Sequence, residues 1–204
     1  MEQSIPYDIC YRREKDEVFA IETDRLRLSV LKKNAAEKVN DYYCRNRAFH
    51  KRWAQTQPDS YFTVKIQKEY LKSDVSMFYN DRMLPLYIFE KNDHDRVIGR
   101  ISLFNIVRGG MQSAAIGYHQ DEDFCGKGFM SEAIRAVAKF GFDELKLHRI
   151  EAFILPENER SINLVRKAGF KEEGLRFSYM HINGRWEDHI GFALFAENLQ
   201  EMKK

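Results

Sequence analysis

The sequence predicts a single mixed α/β domain in which strands and helices interleave. Three observations carry that reading. A length of 204 residues suits one domain. Segments of period-2 alternation are interleaved with segments of period 3.6. No internal repeat or low-complexity linker separates them. Hydrophobic residues make up 44% and charged residues 31%, the balance of an ordinary globular chain and not of a disordered one.

Residues 1–21 are mixed and charged and read as an extension, with the domain proper over 22–197 and a tail over 198–204. Leu26, Leu28 and Val30 alternate with Arg25, Arg27 and Ser29, the period of a half-buried strand. Helical patterning follows over 35–48 and again over about 64–71. Tyr42, Tyr43, Phe49, Trp53, Tyr61 and Phe62 make this region aromatic. It reads as helices packed on a sheet, as a substrate-facing wall, or as both. The runs at 84–90 and 96–107, parted by the turn residues 91–95, form an antiparallel hairpin. After Arg108-Gly109-Gly110 comes another strand at 111–119.

Met130, Ala133, Ile134, Val137, Ala138 and Phe142 then trace the apolar stripe of an amphipathic helix over 129–142. A strand at 149–155 leads into a short helix over 159–168, stopped by Gly169. The last element is a hairpin turning at Asn183-Gly184, the strongest short-range signal for such a turn.

Charge and cysteine usage exclude several classes. The 33 Lys+Arg against 31 Asp+Glu leave only +2, too little surplus for a DNA coat or a polybasic membrane binder. Cys10, Cys44 and Cys125 are odd in number and far apart, so no disulfide framework or zinc cluster is indicated. Free thiols fit a reducing cytoplasm, the expected location. The N-terminus lacks a signal-peptide apolar region and no apolar run reaches about 18 residues. His50, His94, His119, His148, His181 and His189 show no metal-ligand spacing, so no metal is expected.

Two stretches carry chemistry. In 116–134 a strand ends, Gly126-Lys127-Gly128 follows, and an amphipathic helix begins at once. Glycines let backbone approach a ligand, and the amides and dipole of a helix start attract anions. The loop is no P-loop, because Gly128 follows Lys127, and no dinucleotide fingerprint, because Ser131 stands where glycine is required. In 149–174, Asn158 and Ser161 fall at a strand-to-helix junction with spacing i, i+3. Asn158 there reads as an N-cap, or as an amide that bonds a ligand beside a hydroxyl.

Together, G-K-G-F-M-S-E-A at 126–133 and N-x-x-S-x-x-L-x-x-K-x-G-F at 158–170 resemble the GNAT acetyltransferases. The likeness extends through Glu22-Thr23-Asp24-Arg25-Leu26, Asn46-Arg47-Ala48-Phe49, Asn105-Ile106-Val107-Arg108-Gly109 and Asn183-Gly184-Arg185-Trp186-Glu187-Asp188-His189. It is similar to the RimJ/RimL branch of ribosomal-protein N-acetyltransferases, closer to RimJ.

The resemblance implies a GNAT acyl-CoA N-acyltransferase fold, a mixed and mostly antiparallel twisted sheet flanked by helices. It implies acetyl-CoA as donor. The pyrophosphate would lie on the amides of Gly126, Lys127, Gly128, Phe129 and Met130, and the pantetheine arm beside Ile116, Gly117 and Tyr118. Asn158 would hold that arm and Ser161 would protonate the departing thiolate. Where the family pattern opens with Gln or Arg, this chain has Asp123, so loop amides must carry phosphate binding.

No carboxylate occupies the strand at 111–119, and the glutamate that RimL-type enzymes place near the last hairpin aligns with Met180. Glu151, Glu187 and Asp188 remain as candidate bases. A two-residue turn would pair Tyr179 with Asp188, His181 with Trp186 and His189 with Ser178. Phe49, Trp53, Asn105 and Tyr179 are the candidate acceptor-binding residues.

A weak base suffices for one acceptor class. An α-amine with pKa about 7.7–8.0 is roughly one-third neutral in the cytoplasm, whereas lysine near about 10.4 costs about 4 kcal/mol to deprotonate. The expected function is therefore transfer to a protein N-terminal α-amine by direct attack in a ternary complex. A small-amine acceptor (an antibiotic, polyamine or amino acid derivative) and a non-catalytic acyl-CoA-binding module are the alternatives. Expected partners are acetyl-CoA and the acceptor, without nucleic acid or membrane, in a monomer or dimer.

Overall fold

Apolar residues in successive strands fall on alternating faces, and both faces are covered. The computed structural model describes residues 16–198. The expected extension up to residue 15, Cys10 within it, and the tail from 199 lie outside the described residues. Eight strands form one sheet in the order β1-β2-β3-β4-β5-β6-β8-β7. They are β1 (Glu17–Glu22), β2 (Leu26–Leu31), β3 (Met83–Glu90), β4 (Gly99–Val107), β5 (Ser113–Gln120), β6 (Arg149–Ile154), β7 (Lys171–Ile182) and β8 (Arg185–Phe195). All neighbours are antiparallel except β5 and β6, which are parallel.

Five helices cover the sheet: α1 (Ala36–Arg45), α2 (Arg47–His50), α3 (Val64–Tyr79), α4 (Phe129–Asp143) and α5 (Glu159–Lys167). Leu26, Leu28, Leu84 and Leu86 join Ala133, Ile134 and Val137 of α4 in the larger core. The intervening Leu31, Tyr87 and Phe89 meet Val39 and Tyr42 of α1 and Leu71 of α3 in a second core. A sheet buried on both faces needs no polar alternation, which explains the unbroken run at 84–90.

The same two-sided cover corrects the half-buried strand expected at 26–30: every residue of β2 is buried. Its polar members survive burial in a cluster. Arg27 Nη2 lies 2.6 Å from Glu17 Oε2, and Ser29 Oγ donates to Glu17 Oε1 at 2.6 Å. The partner Glu17 belongs to β1, so sheet structure begins at residue 17, five residues before the expected boundary. Helix α3 also continues to Tyr79, eight residues past its expected end. Its second half presents Asp74 and Phe78 inward, a pattern too polar to read as an apolar stripe.

The final hairpin turns at Asn183 and Gly184, both at positive φ (50° and 88°) as a tight two-residue turn demands. His181 faces Trp186 as expected. A register shift between Arg176 and Met180 then breaks the ladder and sets His189 opposite Arg176, not Ser178. Tyr179 is consequently not paired with Asp188. Asp188 Oδ1 instead accepts from the Ser178 amide at 2.7 Å, with Ser178 at φ 46°.

Candidate active site

Parallel strands β5 and β6 pair only over Ser113–Ala115 and Arg149–Glu151 before they part. Beyond that point β6 runs on against β8, while Ile116, Gly117 and Tyr118 remain bonded to β4 alone. Among the described residues their other edge has no strand partner, a surface to which an extended amide-bearing ligand can add as a strand. This parting is what only the tertiary structure creates.

The loop after β5 delivers the second element of the site. Asp121, 1% exposed, receives Arg45 Nε at 2.8 Å, accepts the Asp123 amide and pins a single helical turn over Glu122–Phe124. Burial would raise its carboxyl pKa, but the Arg45 and Asp123 hydrogen bonds outweigh that and hold it below the usual range. Gly126 and Gly128 then adopt φ of 81° and 80°, the left-handed region that glycine enters without strain. Gly128 is the N-cap of α4 and offers no side chain, so the first amides of a 15-residue helix are open to an anion.

Arg25 braces this turn from β2's approach. It donates to Lys127 O at 3.1 Å and to Glu132 Oε2 at 2.6 Å, and lies 4.7 Å over the Phe129 ring. Lys127 itself turns away and sits 4.4 Å over the Phe124 ring. Asp123 is neutralised by Arg96 at 2.7 Å.

At the mouth of the parted strands Asn158 caps α5, its Oδ1 accepting from the Ser161 amide at 3.1 Å. Asn158 is thus the N-cap that the spacing predicts, and its NH2 has no hydrogen-bond partner among the described residues. Ser161 Oγ lies 2.6 Å from the Tyr118 hydroxyl. Two hydroxyls sharing one hydrogen bond retain one further proton to donate. Burial lifts the Tyr118 pKa to about 12 against the opposing Ser161 bond, so the phenol stays protonated.

Tyr118, Gly126, Gly128 and the Asn158–Ser161 junction line a cavity of about 900 Å³. Its lining also includes Met130, Phe49 and Trp53. Ile116, Gly117, Lys127 and Phe129 do not line it. Neither do Glu151, Asp188, Asn105 and Tyr179 among the described residues. Glu151 is held by Arg149 at 2.8 Å. Asn105, at φ 51°, forms an exposed bulge of β4. Tyr179 packs on Phe153 with ring centroids 4.8 Å apart.

Six lining residues are cationic, Arg47, Lys51, Arg52, Arg100, Arg160 and Lys167, and none is Asp or Glu. Arg100 is met by both carboxylate oxygens of buried Asp74 at 3.0 Å. The turn of the last hairpin closes one side: Asn183 Oδ1 accepts from the Thr56 amide at 2.7 Å.

Two histidines are among the lining residues that the sequence reading missed. His119 follows Tyr118 on β5, and His50 ends α2; their ring centroids are 4.9 Å apart. His50 Nε2 donates to Gln120 O at 2.8 Å, and His119 Nδ1 lies 2.7 Å from the Tyr42 hydroxyl. Alternation along β5 does place His119 opposite Tyr118 across the sheet, but nothing in the sequence joins it to a residue 69 positions earlier.

A sheet edge freed by parting strands, continuous with a helix start that presents bare amides, suits a transferase that draws its acyl group from coenzyme A. The chain belongs to the GNAT acetyltransferases: the acetyltransferase (GNAT) domain matches residues 25–171. It is similar to the probable N-acetyltransferase YjcK of Bacillus subtilis (strain 168), with 42% identity covering 73% of this chain and 82% of that protein. It is 30% identical to the [ribosomal protein uS5]-alanine N-acetyltransferase of Escherichia coli (strain K12), over 84% of this chain and 88% of the relative. Mycobacterium smegmatis RimJ, solved in complex with CoA-disulfide, superposes with a TM-score of 0.80 at 26% identity, covering 88% of this chain and 84% of that one. The chain is therefore an acetyl-CoA-dependent N-acetyltransferase related to the ribosomal-protein acetyltransferases. No group of three or more His, Cys, Asp or Glu among the described residues is placed to hold a metal ion. No helix among them is long and apolar enough to cross a membrane.

Proposed function

We propose that this enzyme acetylates the N-terminal α-amine of a protein, with a ribosomal protein as the substrate class. The observation that carries the reading is the acceptor wall: aromatic, cationic and without a carboxylate among its described lining residues. A polyamine or aminoglycoside carries several positive charges and requires acidic partners, because an unpaired cation against like charges is strongly disfavoured. An α-amine with pKa about 7.7–8.0 arrives partly neutral and needs none. The uS5-directed relative supports the same class.

Acetyl-CoA supplies the acetyl group as a reactive thioester. The amides from Gly126 to Met130 hold its pyrophosphate, and the free edge at Ile116, Gly117 and Tyr118, with Asn158, aligns its pantetheine arm. The Ser161–Tyr118 hydroxyl pair stands where the strands part and returns a proton to the departing sulfur. Phe49 and Trp53 pack against the acceptor's first residues. Holding both reactants in line supplies most of the acceleration.

Thiol release should be measured with acetyl-CoA against ribosomal-protein N-terminal peptides, spermidine and an aminoglycoside panel. Turnover on peptides at least tenfold above the polycations is expected. Preference for a polycation would overturn the acceptor assignment.

A further inference from the structure

The acceptor amine must lose a proton, and the described lining of the cavity contains no carboxylate to receive it. Glu151 and Asp188 do not line it, and Tyr118 is protonated throughout the neutral range. Cys125 also lines the cavity, but its thiol is engaged with Asp121 O at 3.4 Å. What remains is the histidine pair.

Hydrogen counting sets the tautomer of neutral His50, and satisfying both Tyr42 contacts sets that of His119. A carbonyl only accepts, so His50 Nε2 carries the hydrogen it donates to Gln120 O, and Nδ1 holds the lone pair. Tyr42 Oη lies 2.7 Å from His119 Nδ1 and also 3.3 Å from the His119 carbonyl. One hydroxyl hydrogen cannot serve both. If the Tyr42 proton goes to the carbonyl, Nδ1–H of His119 donates to Tyr42 Oη and both contacts are satisfied. His119 Nε2 then holds a lone pair, and it has no hydrogen-bond partner among the described residues.

We propose that His119 Nε2, with His50 beside it, takes the proton that leaves the acceptor amine. The proposal rests on the acetyltransferase reading and extends it to a residue. As the amine nitrogen bonds the acetyl carbon, its proton passes to Nε2. The carbon–sulfur bond breaks, and the sulfur takes a proton from the Ser161–Tyr118 pair. Solvent then carries the imidazolium proton back to the Ser161–Tyr118 pair, so protons and electrons balance.

The surroundings keep the imidazole neutral and available. Burial is the largest influence on His119, and His50 and Arg100 add to it, all lowering its pKa well below the ordinary value. Tyr42 of α1 stacks on the ring, and Tyr43 meets it at a tilt. His50 is lowered by burial too, against opposing contributions from the Gln120 carbonyl, Asp121 and Glu122. General bases of this kind contribute about 10²–10⁴-fold.

The test uses the full-length enzyme, His119→Gln, and whichever amine the wild type acetylates best. Expected are a kcat loss of about 100-fold or more, an acetyl-CoA dissociation constant within about twofold of wild type, and partial recovery with added imidazole in His119→Ala. Wild-type kcat in His119→Gln would overturn the proposal while leaving the acetyltransferase reading intact. Nitrogen NMR of the wild-type histidines gives a readout independent of turnover. A neutral His119 carrying its proton on Nδ1 is expected, and a proton on Nε2 would overturn the assignment. Absence of thiol release with every amine would sink the acetyltransfer reading and this proposal together.

Discussion

Ser161 shows how one side chain draws its role from its neighbours. The spacing to Asn158 sets its amide on the capping oxygen, which leaves the hydroxyl to Tyr118 at 2.6 Å. Ser161→Ala should lower kcat by about 10–100-fold while the acetyl-CoA dissociation constant stays within about twofold, read by steady-state kinetics and calorimetry. An unchanged kcat would remove its role as proton donor. The two lowered histidines, His50 and His119, also couple stability to acidity. Below about pH 6.5 the unfolded chain binds protons that the folded chain refuses, so stability is full above that value and falls as pH drops through it. Melting temperature should decline between about pH 7 and pH 5, and the decline should be shallower in His119→Gln.

At the scale of elements, the phosphate turn was the part of the site most readable from sequence. Gly126, Gly128 and the apolar stripe of α4 are local features, and the left-handed φ of both glycines follows from them. Gly128→Val would force a side chain into that conformation, at about 1–2 kcal/mol, 3.5 Å from Arg25 Nη2. It would also set bulk at the amides proposed to hold the pyrophosphate. Acetyl-CoA affinity should fall at least tenfold by calorimetry while the circular dichroism spectrum is retained; an unaltered affinity would remove the loop from the site. The last hairpin was read correctly at its turn but not along its arms. The Asn183-Gly184 signal is local, whereas the shift between Arg176 and Met180 depends on how β7 meets β8. The pairing of Tyr179 with Asp188 presupposes an unshifted register.

Across the whole molecule, β1 is tied to the sheet by charge as well as by its ladder. Glu17 and Arg27 are each 4% exposed and hydrogen-bonded, with Ser29 completing the cluster. Burial raises the Glu17 pKa, but the bonds from Arg27 and Ser29 overcome it and keep the carboxylate ionised. Arg27→Ala strands that charge and should cost about 3–5 kcal/mol in chemical denaturation. Replacing Glu17 and Arg27 together by apolar residues should cost far less. Sequence alternation could not reveal this pair, because a charged residue at an alternate position reads as solvent-facing until a second helical layer is known to cover it.

The sequence by itself determined the class of protein: the glycine turn into α4, the Asn158–Ser161 junction and the hairpin turn are each contained within a few consecutive residues, where backbone geometry and capping are decided locally. The tertiary structure alone decided three other things. The parting of β5 and β6 frees the edge proposed for the pantetheine arm, the α1–α2 region folds over β5 to set His50 against His119, and the cavity lining comes to include no carboxylate among the described residues. Each of these depends on which distant segments share a space, and neither the period nor the spacing of residues along a chain encodes that directly.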